Sequence, residues 1–129
     1  MKANELRIGN FVYFNHSDYD KTIPRKINYT KNPNEIGLEC IFQNRIEYNN
    51  IEPIPLTKEW LERFGFETTA WDCNTTHRLM IGKNDYCIVI SSNGFCEVGD
   101  AIVMNMDYVH QIQNLYFGLT GNELQCVGF

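Results

Sequence analysis

Asp72-Cys73-Asn74-Thr75-Thr76-His77 brings a thiol and an imidazole within a few residues of each other. A cysteine nucleophile needs a base within hydrogen-bond reach and a third group to orient that base. On an extended strand Cys73 and His77 stand roughly 13 Å apart at ~3.3 Å per residue, so the pair works only if the chain folds back. As zinc ligands they would need two more donors, and no paired Cys or His motif supplies them. The plainer reading is a packed thiol and a surface histidine. Asp18, Asp20, Glu35 and Glu39 include no pair that regular spacing sets across a cleft. Phosphate-binding glycine loops and dinucleotide fingerprints are absent, and Gly82-Lys83-Asn84 has the residues of a turn only. No catalytic residue, metal site or cofactor is therefore assigned, and the chain is expected not to be an enzyme.

A second group is defined by helical spacing. In Tyr108–Thr120, at about 100° per residue, Tyr108, Val109, Ile112, Leu115, Tyr116 and Leu119 form one apolar stripe. His110, Gln113, Asn114 and Phe117 follow at i, i+3, i+4 and i+7 on the other side, itself a contact ladder. A helix with two such stripes is expected to be covered on both sides, by another part of the chain or by another subunit. The polar row is the candidate interface or ligand face, because buried amides demand specific partners. The bland alternative is interdigitation with the amides bonded to backbone.

The third group is Lys21–Lys31, which carries Lys21, Arg25, Lys26 and Lys31 and no acid. With Tyr19 and Tyr29 nearby, it has the groups for phosphate contact and base stacking. An edge strand charged to deter edge pairing would look the same.

The 129 residues fit one domain or two small fused units, and 43% hydrophobic with 21% charged residues supports a packed core. A net charge of −5 argues against nonspecific adhesion to nucleic acid or anionic membrane. No apolar run approaches the ~20 residues that span a bilayer, and no signal-peptide core is visible, so a cytoplasmic setting and no membrane partner are expected. The five cysteines, Cys40, Cys73, Cys87, Cys96 and Cys126, are odd in number and scattered, as free packed thiols would be.

The elements that must position these residues fall into two sets. Leu6–Phe14 has apolar residues on both sides of a Gly9-Asn10 turn signal. It is followed by Thr22–Thr30 with Pro24, Gly37–Gln43, and Arg45–Tyr48 leading to Ile51–Leu56. Short strands over about 50 residues suggest a small SH3-like barrel or curled meander in 1–56, with Pro24 on an edge strand. In 57–129, Thr57 opens a helix over Lys58–Phe64 that Gly65 stops, and Glu67–Thr76 reads as a loop. A three-strand meander over about His77–Gly82, Asp85–Ser91 and Phe95–Met104 turns at Lys83-Asn84 and Ser92-Asn93-Gly94. Asp107 then caps the final helix, Gly121 ends it, and the helix packs across the meander. The expected class is α+β, with the two halves sharing one core.

Three segments together look familiar: Leu6-Arg-Ile-Gly-Asn10, Pro53-Ile-Pro-Leu-Thr-Lys-Glu-Trp-Leu-Glu-Arg-Phe-Gly-Phe66, and Tyr108–Gly121. They resemble a family of small uncharacterised proteins of Bacteroidetes genomes, their phages and mobile elements. The resemblance implies a bacterial cytoplasm and no particular activity. The expected function is a small non-enzymatic interaction or accessory module that self-associates or binds a protein partner. Nucleic-acid binding through the basic segment is the alternative, and sequestration of a small metabolite or nucleotide a further one.

Overall fold

A computed structural model describes residues 5–31, 35–39, 41, 46–71, 74–81, 86–99 and 101–127, the side chains of 31, 71, 74, 86, 102 and 103 excepted. Cys40, Asp72, Cys73, the Gly82-Lys83-Asn84 turn and the side chain of Lys31 lie outside the described residues. The chain forms two compact units. The first is Met1–Pro55 with Tyr108–Leu115, the second Leu56–Asp107 with Tyr116–Phe129.

The first unit is built on strands β1 (Phe11–Phe14), β2 (Arg25–Lys31), β3 (Glu35–Leu38) and β4 (Ile51–Glu52), ordered β3-β2-β1-β4 and antiparallel throughout. Gly9, at φ 99°, makes the turn into β1, and its N–H donates to the Ile27 carbonyl at 2.8 Å. Val12 and Phe14 point inward and join Ile27, Ile36, Leu38, Ile41, Ile46 and Ile51 in the core. Each such side chain contributes about 1.5–3 kcal/mol by leaving water. β2 lies between β3 and β1, so the expectation of an edge strand at Pro24 is corrected. Pro24 precedes the strand, where its missing N–H interrupts no ladder bond. No closed barrel is found among the described residues, and what the structure shows is a four-stranded sheet in an α+β fold.

The β2–β3 register shifts between Ile27 and Tyr29, a bulge that places Tyr29 opposite Gly37. A Cβ on Gly37 would stand 2.8 Å from Asn28 Oδ1 and 3.0 Å from Tyr29 Cβ, so the glycine admits that close approach.

The second unit opens with α1 (Lys58–Arg63), whose N-cap Thr57 accepts the Trp60 N–H at 3.4 Å. Trp60, Leu61 and Phe64 are buried, and Gly65 turns the chain at φ 90°. An antiparallel meander follows, formed by β5 (Glu67–Trp71), β6 (Asn74–Ile81), β7 (Tyr86–Ser91), β8 (Phe95–Val98) and β9 (Ala101–Asn105) in that order. It has five strands where three were expected. Glu67–Trp71 and Asn74–Thr76, expected in a loop, are paired strand residues, and the Phe95–Met104 run is broken at Gly99, φ 61°, into two strands. Alternation holds across the sheet: His77, Ile90 and Cys96 form one buried row. Arg78, Val89 and Glu97 form a row on the opposite face.

The last helix, α2 (Val109–Thr120), gives Val109–Leu115 to the first unit and Tyr116–Thr120 to the second. It starts at Val109, one residue later than expected, with Tyr108 just before its first turn. The Tyr108 N–H donates to Gln111 Oε1 at 3.0 Å, one half of a capping box. Gly121, at φ 74°, donates to the Phe117 carbonyl at 2.7 Å. The first half of the helix packs in the β1–β4 unit, which corrects the picture of a helix laid wholly across the meander. No helix among the described residues is long and apolar enough to cross a membrane.

Candidate functional site: the polar row of the last helix and the free edge of the second sheet

Helical spacing turns His110, Gln113 and Asn114 toward the Glu5–Phe11 segment within the first unit. Gln113, 1% exposed, accepts the Phe11 N–H on Oε1 at 2.9 Å and donates from Nε2 to the Gly9 carbonyl at 3.0 Å. Asn114 Oδ1 accepts from Asn10 Nδ2 at 2.8 Å and Arg7 Nε at 3.1 Å, and its Nδ2 donates to the Glu5 carbonyl at 2.7 Å. Arg7 also donates through Nη2 to the Gln113 carbonyl at 3.3 Å, and its backbone N–H donates to Asn10 Oδ1 at 2.8 Å. Leu6–Asn10 and the Val109–Leu115 part of the last helix are thus hydrogen-bonded to each other within the first unit.

His110 is 1% exposed, with its ring stacked on Tyr108 at 5.8 Å and neither ring nitrogen hydrogen-bonded. Nε2 lies 3.6 Å from the Glu5 carboxylate. Burial holds the imidazole below its ordinary pKa of 6.5, and Glu5 pulls the other way. The row can therefore organise the Glu5–Phe11 segment, and both amides are already engaged in doing so. Phe117, the fourth residue of the row, belongs to the second unit and is 38% exposed.

The basic segment is spread over different surroundings. Lys21 is exposed in a turn. The Arg25 guanidinium lies over the Tyr19 ring at 5.5 Å from its centroid, and its Nε is buried without a hydrogen bond. Lys26 Nζ lies over the Phe11 ring at 5.4 Å. Tyr29 is 47% exposed on the same strand.

His77 is 7% exposed, so the expectation of a surface histidine is corrected: register turns its ring to the inner face of the meander. There Nδ1 stands 3.0 Å from Thr68 Oγ1. Burial lowers its pKa, Lys58 adds to the shift, and Glu62 opposes it. Cys96 is wholly buried, and desolvation, helped by Glu97, pushes its thiol up to about 11. No cluster of three His, Cys, Asp or Glu side chains placed to hold a metal is found among the described residues.

The feature that sequence reasoning missed is β5. Glu67, Thr68, Thr69 and Ala70 are all exposed, and β5 pairs with β6 in five consecutive steps from Glu67↔Arg78 to Trp71↔Asn74 without a register shift. Among the described residues, β5 ends the sheet on its other side. The remaining sheet ends are blunted: β4 has two residues, β3 is bridged to Ile46, and the β9 pairing is bulged. A signal was present in the β-branched Thr68-Thr69 and Thr75-Thr76 on either side of Asp72-Cys73, of which Thr69 and Thr76 face each other.

Only two residues separate Trp71 from its partner Asn74, so this closing pair is the hydrogen-bonded kind, and the type alternates from there. Glu67, Thr69 and Trp71 then turn their backbone groups to β6, while Thr68 and Ala70 turn theirs outward. The edge thus offers two N–H donors and two carbonyl acceptors, in register for an added strand.

No family model, curated protein or solved structure matches this chain.

Proposed function

We propose that the chain is a non-enzymatic interaction module that takes an extended partner strand along the β5 edge. The observation that carries this reading is the unbroken, exposed edge over Glu67–Ala70, which lacks proline, lysine and bulge. Main-chain bonds from Thr68 and Ala70 supply affinity, and the exposed side chains on either side supply selectivity. The bacterial cytoplasm implied by the sequence resemblance is the setting. The test is a library of extended peptides screened against the full chain and its Ala70→Pro variant. Residue 70 turns its N–H away from β6, so proline there removes an outward donor and leaves the β5–β6 ladder intact. Peptide binding that Ala70→Pro abolishes is expected; binding that survives the substitution, or none at all, refutes strand addition.

A second reading, single-stranded nucleic-acid binding by the first unit, is favoured by one observation: Tyr29 presents an exposed ring on the strand that also carries Arg25 and Lys26. It requires oligonucleotide affinity that falls steeply with salt and is lost in Tyr29→Ala. Salt-insensitive binding would exclude it.

A further inference from the structure

We infer that the occupant of the β5 edge is β5 of a second copy, antiparallel, with Thr69 on the two-fold axis. The inference rests on the strand-addition reading above and names its partner. The two outward-facing residues, Thr68 and Ala70, are spaced so that an antiparallel copy closes on itself. Thr68 faces Ala70 of the copy and Ala70 faces its Thr68, giving four main-chain bonds about a non-bonded Thr69 pair. Any other centre would set outward-facing groups against inward-facing ones, or leave a donor unmatched.

Side-chain chemistry agrees with the same register. Glu67 is the only charged residue of the strand, and it falls opposite Trp71 of the copy, four residues or ~13 Å from the other Glu67. The chain's net charge of −5 would otherwise oppose self-association, yet at this edge no like charges meet. Thr69 already faces Thr76 across the ladder, so the joined sheets would carry four threonines in one row, a favourable cross-strand combination. The interface is isologous, as closed two-fold pairing requires.

Sedimentation equilibrium of the full chain, Ala70→Pro and Thr69→Cys over a concentration series tests this, with mild oxidation of the cysteine variant. A non-bonded antiparallel pair has Cα atoms ~4.5 Å apart, within disulfide reach. Thr69→Cys is therefore expected to give a 69–69 linked dimer, identified by mass spectrometry of the joined peptide against the wild-type chain's native cysteines. Thr68→Cys, offset by two residues from its own copy, is expected not to link. The wild-type mass should double with concentration and Ala70→Pro should remain at the mass of one chain. A wild-type chain that stays monomeric overturns the second copy as occupant and leaves the peptide screen to judge strand addition. A dimer that persists in Ala70→Pro, or no 69–69 link in a dimeric sample, overturns self-pairing and places the contact elsewhere.

Discussion

Removing the Gln113 side chain takes away the acceptor for the Phe11 N–H and the donor to the Gly9 carbonyl together. The Phe11 N–H is buried and the Gly9 carbonyl partly so, and the loss is dominated by the buried N–H left unsatisfied and not by the bonds' net worth. Gln113→Ala is expected to lower stability by about 1–3 kcal/mol, read from the urea midpoint; a shift within error of zero would contradict the geometry. Gln113→Glu is expected to fail as well, because it sets an oxygen against the Gly9 carbonyl.

His110 gives a pH dependence whose sign follows from burial. Its folded pKa is below 6.5, so on acidification the unfolded chain takes up the proton first. Stability is full above the unfolded value and declines as pH drops through 6.5 toward the folded pKa, with Glu5 narrowing that window. His77 is shifted in the same direction and shares the effect. Urea midpoints from pH 8 to 5 should fall in the wild-type chain, and His110→Phe should flatten part of that slope. An unchanged slope would show that the ring titrates freely. The polar row itself was legible in the spacing of His110, Gln113 and Asn114. Its partners were not, because Gly9 is 104 positions from Gln113, and no local pattern reports a contact closed over that distance.

At the scale of elements, what could be read and what could not divide at β5. Alternation exposed the strands of the buried meander, where Ile88, Ile90 and Cys96 point one way. The run Glu67-Thr-Thr-Ala-Trp71 has exposed residues on both faces and no apolar period, so only its pairing to β6 makes it a strand. The SH3-like expectation came from short strands and turns, which a four-stranded sheet also satisfies. Gly37 offers the clearest test of local packing. Ala there would gain backbone order, but its Cβ meets Tyr29 Cβ, which is fixed to the backbone, as well as the exposed Asn28 side chain, which can swing aside. Gly37→Ala is expected to cost about 1–3 kcal/mol with an unchanged urea m-value; a stabilised variant would mean the bulge relaxes.

For the molecule as a whole, the unusual property is that the first unit is discontinuous in sequence. The chain leaves it at Pro55 and returns at Tyr108, two residues joined by an isolated antiparallel bridge. Neither local propensity nor hydrophobic period marks that return, so the sequence reading assigned the whole of the last helix to the second half. Residues 1–55 alone lack Val109, Ile112 and Gln113, three fully buried members of their unit. That fragment is expected to give the dispersion-poor NMR spectrum of an unfolded chain. Joining residue 55 to 108–120 through a linker of about four residues should restore dispersion, since the bridge already brings the ends together. A well-folded 1–55 fragment would show that the returning segment is dispensable.

The same discontinuity has a consequence for biosynthesis. A nascent chain grows at roughly 5–20 residues per second, and about 60 residues separate Pro55 from Leu115. The β1–β4 sheet is therefore complete in sequence roughly 3–12 s before the helix that satisfies Gly9 and Phe11 has been made. During that interval its apolar strands are available to chaperones or to neighbouring nascent chains, while the inserted meander is still being synthesised. The first unit must wait for its closing segment at Tyr108–Leu115, and the speed of translation across residues 56–115 sets how long that wait is.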